Sequence, residues 1–211
     1  CNVYRSSFYL MKHAAGQPEP NDGDLYCGIR ALNFHATNKL LAGATPQDRN
    51  AFVGCDFGIS VRNTMSLEAR YNYVRDARLR GISGEENPSV TIDIINNEIN
   101  SYNPNAWGIF MKNYAGSVVT INNNRINLTA PSPNTSRLAA GIYVSNVTAA
   151  SVTTTVNSNL INNSLYGIWA INVPNTDIKS NTISMNYTDA EIISLATGYV
   201  PIRGIAVENS S

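Results

Sequence analysis

Apolar and polar positions alternate in a six-residue phrase, Gly-Ile-x-apolar-x-Asn, that returns along the whole chain. It reads GIRALN at 28–33, GISVRN at 58–63, GIFMKN at 108–113, GIYVSN at 141–146, GIWAIN at 167–172 and GIAVEN at 204–209. A seventh, degenerate copy, GISGEEN at 81–87, carries one extra residue before its Asn. The anchors recur about every 29 residues, a spacing that marks solenoids and repeat arrays. Period-2 alternation within the phrase predicts a short strand, with the Ile and the next apolar residue inward and the residue between them outward.

A second phrase, Asn-x-apolar, falls between these copies. It occurs as Asn72-Tyr73-Val74, Asn97-Glu98-Ile99, Asn124-Arg125-Ile126, Asn159-Leu160-Ile161 and Asn181-Thr182-Ile183, with Asn50-Ala51-Phe52 as a poorer early copy. Runs rich in Val, Ile and Thr, such as 90–95, 118–121 and 151–156, precede the better copies and read as strands. Each repeat therefore holds three short strands with an Asn at a fixed corner. Asn suits a corner because it accepts the left-handed conformation and because stacked amides can hydrogen-bond to one another. No segment sustains a helical apolar stripe, apart from a possible short helix at 189–195.

Three strands per turn of chain predict an all-β fold, a right-handed parallel β-helix of about seven coils forming one domain over 1–211. One coil cannot bury its inner residues or pair its strand edges alone, so its neighbours must do both. The pattern resembles the repeat of the right-handed parallel β-helix proteins, the pectate-lyase-like solenoids, over nearly the whole chain from Leu25 to Asn209. That resemblance implies architecture more than activity, because the scaffold hosts lyases, hydrolases, epimerases, tailspikes and adhesins. Neither terminus reads as a capping helix, so we expect a segment of a longer solenoid flanked by other parts of a parent chain.

Composition narrows the function classes. Net charge is +0 and only 14% of residues are charged, which argues against an electrostatic nucleic-acid binder. No apolar run approaches the roughly 18 residues of a membrane span. The 29 asparagines fit a chain with many tight turns. Cys1, Cys27 and Cys55 lack metal-ligand spacing and read as buried thiols in preference to a disulfide. No cofactor is implied.

Candidate chemistry gathers where the coils depart from their minimum. Long insertions near 9–26, 127–140 and 184–203 all leave from the corner before the Gly-Ile strand, and such insertions often wall a binding face. The outward column on that strand is Arg30, Ser60, Ser83, Phe110, Tyr143, Trp169 and Ala206. Phe110, Tyr143 and Trp169 are consecutive, a candidate platform for stacking sugar rings. Lys112, Asn113, Ser145 and Asn146 stand beside it as polar partners for hydroxyls. The same rings also fit a purely structural stripe.

Catalytic sets fare poorly. The pectate-lyase resemblance would imply clustered aspartates for calcium, but Asp56, Asp76 and Asp93 are dispersed. Of the polygalacturonase motifs only Asn175-Thr176-Asp177 occurs, without its companions. His13 and His35 have no nucleophile motif beside them. Glu98 and Arg125 occupy matching positions of successive coils, and we expect a lateral ion pair there. The leading expectation is a non-catalytic segment of a large secreted or cell-surface bacterial protein, serving as adhesin, stalk or carbohydrate-binding platform. Its partner would be a polysaccharide or surface glycan, and type IX export would suit such a protein. A polysaccharide lyase, hydrolase or epimerase completed outside this segment, or a tailspike-like trimer, are the alternatives.

Overall fold

The structure is a computed structural model. It describes residues 1–3, 5–9, 27–32, 39–63, 66–86, 91–103, 106–114, 118–129, 139–147, 152–185 and 203–209. The long insertions, His13, His35 and the possible helix at 189–195 lie wholly or mostly outside them.

Among the described residues three parallel sheets of seven strands each make up the fold. The Gly-Ile sheet stacks Cys27–Leu32, Phe57–Arg62, Arg80–Glu85, Trp107–Tyr114, Ala140–Val147, Tyr166–Ile171 and Arg203–Glu208. The β-branched sheet stacks Asn2–Val3, Lys39–Ala42, Ser66–Arg70, Thr91–Ile95, Val118–Asn122, Thr153–Asn157 and Thr176–Lys179. The third, the ladder sheet, holds Ser7–Tyr9, Ala51–Val53, Tyr73–Arg75, Glu98–Ser101, Arg125–Leu128, Leu160–Asn162 and Thr182–Ser184. The chain visits the β-branched, ladder and Gly-Ile sheets in turn, which is a right-handed parallel β-helix of seven coils. All three long insertions link a ladder strand to a Gly-Ile strand.

Inward residues stack in columns through strict register. Ile59, Ile82, Ile109, Ile142 and Ile168 form one column, each fully buried. Phe52, Val74, Ile99, Ile126 and Ile161 form a second on the ladder sheet, also fully buried. The two sequence phrases depend on each other. A Cβ on Gly108 would stand 2.6 Å from Ile126 Cγ2 and 2.5 Å from the carbonyl oxygen of Gly141. Gly81 has the same relation to Ile99, and Gly141 to Ile161. Each glycine thus makes room for the apolar residue after the corner Asn and for the neighbouring coil. One polar pair enters the core, where the Tyr114 hydroxyl lies 3.2 Å from Thr154 Oγ1 and satisfies both.

Buried asparagines Asn50, Asn72, Asn97, Asn124 and Asn159 form a directed ladder at the corner, continued by the half-buried Asn181. Each Nδ2 donates to Oδ1 of the next coil at 2.9–3.0 Å. The backbone N–H of Asn72, Asn97, Asn124 and Asn159 donates to that same oxygen. The second amide hydrogen reaches a carbonyl on the preceding coil, as Asn124 does to Ile94 at 2.8 Å.

The expected backbone role of these asparagines needs correction. The left-handed residue stands one position earlier, at Tyr71, Asn96, Asn123, Ser158 and Ser180. The ladder Asn keeps ordinary φ and supplies only its amide. The Asn closing the Gly-Ile phrase does take positive φ, at Asn63, Asn113, Asn146, Asn172 and Asn209. In the degenerate copy Glu86 fills that place with φ 53°, and register sets Glu85 opposite both Arg62 and Lys112. The turn of this copy therefore falls at Glu86.

The Glu98–Arg125 expectation also changes. The two residues face each other in register, but the Glu98 carboxylate takes Arg49 at 2.8 Å. Burial works to raise its pKa; hydrogen bonds from Asn100 and Arg49 overcome that and leave it lowered, with Arg125 adding only its field. Arg49 lies 49 residues away in sequence, brought near by coil stacking.

Candidate functional site

The outer face of the Gly-Ile sheet differs from the other two outer faces. Register places Arg30, Ser60, Ser83, Phe110, Tyr143, Trp169 and Ala206 in one outward row. The consecutive aromatics expected from sequence are therefore neighbours in space.

Their geometry is a folded cluster and not a flat stripe. Phe110 and Tyr143 stack at 4.8 Å and 20°, whereas Tyr143 meets Trp169 edge to face at 5.3 Å and 74°. Two rings that the sequence reading missed complete it. Trp107 meets Phe110 and Tyr143 edge to face at 5.3 and 5.1 Å and lies parallel to Trp169 at 6.4 Å. Tyr166 stacks on Trp169 at 4.4 Å. Both residues directly precede an anchor glycine, as Phe57 does, so an aromatic-Gly pair was the signal available in the sequence. Ala140, Leu165, Tyr166 and Ala206 are buried beneath this second apolar cluster, and Phe110 is 8% exposed. Trp107, Tyr143 and Trp169 stay half-buried and present ring surface outward.

Polar groups around the rings fall into two kinds. Asn113 and Asn146 belong to a second amide ladder, in which Asn146 Nδ2 donates to Asn113 Oδ1 at 3.0 Å. Asn172 Nδ2 in turn donates to Asn146 Oδ1 at 2.9 Å. Lys112 and Ser145 sit opposite one another in the next outward row, with Glu85 on the other side of Lys112. Ser145 is 1% exposed, and its Oγ has no hydrogen-bond partner. The enclosed Trp169 Nε1 has none either. A buried polar group without a partner costs about 1–3 kcal/mol, so an oxygen admitted by a shift of the enclosing groups would be a gain for these atoms.

Toward the N-terminal coils the rings give way to charge. Arg80 lays its guanidinium over Phe110 at 3.7 Å and reaches Phe57 at 5.5 Å while pairing with Glu85. Arg62 pairs with Glu86 at 2.8 Å, and that hydrogen bond first, with the fields of Arg62 and Lys112, holds the Glu86 carboxyl below its usual range. A cavity of about 240 Å³ opens here, lined by Cys27, Arg30, Ser60, Arg62, Arg80 and Glu85 among others.

The dispersed aspartates are structural. Asp56 pairs with Arg78 at 2.6 Å, Asp93 with Arg70 at 2.8 Å, Asp76 with Arg75 at 3.6 Å, and Asp177 with Lys179 at 2.7 Å. Among the described residues no group of three or more His, Cys, Asp or Glu could hold a metal ion. Cys1, Cys27 and Cys55 are free thiols as expected, but only Cys55 is buried; Cys27 is half-buried and Cys1 is exposed. Burial pushes Cys27 and Cys55 up to about 11. No helix is long and apolar enough to cross a membrane among the described residues. No protein-family model, curated protein or solved structure matches this chain.

Proposed function

We propose that this chain is a non-catalytic β-helical binding module that holds a carbohydrate on the outer face of its Gly-Ile sheet. The observation that carries this reading is the pairing of half-buried rings with an orphaned donor. Trp107, Tyr143 and Trp169 offer apolar ring surface for the C–H face of a sugar, and Trp169 Nε1 lacks an acceptor that a sugar hydroxyl would supply. Lys112 and Ser145 lie in the adjoining row. Among the described residues the carboxylates near this face, Glu85, Glu86 and Glu208, are each engaged by an arginine, which supports binding over general acid and base chemistry. A secreted or surface-displayed bacterial protein is the setting in which such a module would meet polysaccharide.

Affinity electrophoresis against neutral and acidic polysaccharides, wild type beside Trp169→Phe, tests the proposal. The variant keeps a ring against Tyr166 while it removes the indole N–H together with the five-membered part of the indole. Retardation in one or more glycans, weakened in the variant at unchanged melting temperature, is the expected result. Absence of retardation in every glycan overturns it. Clearing of the glycan in the gel overturns the non-catalytic part and leaves an enzyme.

A further inference from the structure

We infer that the cleft over the first three coils is an anion subsite, and that the ligand of this face is a glycan bearing carboxylate or sulfate groups. This rests on the carbohydrate reading and names the ligand class. Three observations carry it. First, the described residues lining the cavity include Arg30, Arg62 and Arg80 with Glu85 as the carboxylate among them. A concave wall focuses the field of such a set on an incoming anion.

Second, Arg80 is held in place before any ligand arrives. Its guanidinium is fixed between the Phe110 ring at 3.7 Å, the Phe57 ring at 5.5 Å and the Glu85 carboxylate. A planar fork already immobilised loses little freedom when it takes a carboxylate or sulfate, which is where Arg differs from Lys. Third, the cavity and the ring cluster adjoin through Arg80. Arg80 lines the cavity and covers Phe110, the first ring of the cluster. The outward row from Arg30 to Trp169 crosses five coil steps, about 24 Å at one strand spacing per step. That length suits a chain of sugars and not a single one. The cavity itself, about 240 Å³, is smaller than the roughly 300–1,000 Å³ of sites that enclose a drug-sized ligand. It has room for one charged unit of that chain.

The experiment measures retardation in gels containing alginate, its carboxyl-reduced neutral counterpart, a sulfated galactan, and the same galactan desulfated. Wild type runs beside Arg30→Gln, Arg80→Lys and the control Arg125→Gln, which lies on the ladder sheet. Arg30 is exposed, so its variant leaves the core intact, and melting temperatures are taken for all four proteins. Binding to a charged glycan at least tenfold tighter than to its neutral counterpart is expected. That binding weakens on the order of tenfold in Arg30→Gln, weakens in Arg80→Lys, survives in Arg125→Gln and falls as salt rises. The alginate and galactan arms decide between carboxylate and sulfate. Equal binding of charged and neutral forms, with Arg30→Gln like wild type, overturns the anion subsite and leaves the carbohydrate reading standing. Equal loss in Arg125→Gln also overturns it, as general adhesion of polyanions. No binding of any glycan overturns both.

Discussion

Replacing Asn124 with Ala tests how the corner ladder holds the coils together. Asn124 is 1% exposed and sits mid-ladder. Its Oδ1 accepts from the Asn97 backbone N–H at 2.9 Å and from Asn97 Nδ2 at 3.0 Å, while its Nδ2 donates to the Ile94 carbonyl at 2.8 Å and Asn159 Oδ1 at 3.0 Å. Alanine removes all four. Asn97 Nδ2 keeps the Ala69 carbonyl, and Asn159 Oδ1 keeps the Asn124 backbone N–H. The Asn97 N–H and the Ile94 carbonyl lose their side-chain partner in a buried site. At about 1–3 kcal/mol for each buried group left unsatisfied, the loss centres on about 4 kcal/mol. For a chain of this size that lowers the melting temperature by about 10 °C.

Asn124→Asp distinguishes a directed ladder from simple filling of space. Aspartate keeps the accepting oxygen but sets a second oxygen against the Ile94 carbonyl and Asn159 Oδ1, and buries a charge. It should destabilise at least as much as alanine near neutral pH. Asn162→Ala serves as the control. Its Nδ2 donates to Asn127 Oδ1 on a half-buried outer row, where water can replace it, and the cost should stay below about 1 kcal/mol. Urea unfolding followed by circular dichroism reads all three. An Asn124→Ala loss no larger than that of Asn162→Ala would refute the desolvation argument, and an Asp variant as stable as wild type would refute the direction.

Two further outcomes follow from the core and the thiols. Gly108→Ala should destabilise by about 1–3 kcal/mol, because the new methyl meets the Gly141 carbonyl oxygen at 2.5 Å and Ile126 at 2.6 Å. Gly204→Ala meets nothing within 4 Å and should shift the melting temperature by little, so equal losses in a thermal melt would exclude the close-approach explanation. Burial raises the Cys27 and Cys55 thiols from 9.0 to about 11, so the protonated forms stabilise the fold below about pH 9, and that contribution is lost as pH climbs from 9 to 11. Urea midpoints that fall over this window in wild type, and fall less in a Cys27→Ser, Cys55→Ser variant, would bear this out; identical profiles would refute it.

The sequence carried the architecture because a solenoid repeats the same local requirement in every coil. Inward Ile and the corner amide must recur for neighbouring coils to pack, so a single chain samples the pattern seven times over. What stayed hidden has specific causes. In Asn96-Asn97 and Asn123-Asn124 either residue could have taken the left-handed turn, and composition cannot choose between them. The register of the degenerate copy depended on Glu86 accepting positive φ in place of an Asn. Arg49 reaches Glu98 across stacked coils, a contact no local spacing announces. The column of rings was legible, but its folding into a cluster was not, because that depended on Trp107 and Tyr166 in a neighbouring row.

The ring cluster is also more than the coil itself requires. Inward Ile and anchor Gly are needed wherever coils stack, and they occur from the first coils to the last. The outward row has no such constraint, and the early coils fill it with Arg30, Ser60 and Ser83 while forming the same strands. On the described parts of the other two sheets the outer faces carry polar groups that pair with one another. Arg70 pairs with Asp93 on the β-branched sheet, although its Nε is left without a hydrogen bond, and Asn100, Asn127 and Asn162 pair on the ladder sheet. Against that background, aromatic side chains beside two buried polar atoms without partners are an addition to the solenoid. They lie on the sheet entered by all three long insertions, and they adjoin the arginine-lined cavity. A ring cluster that the coil itself does not require, beside an arginine-lined cavity, is the feature that supports the proposed binding site on this face.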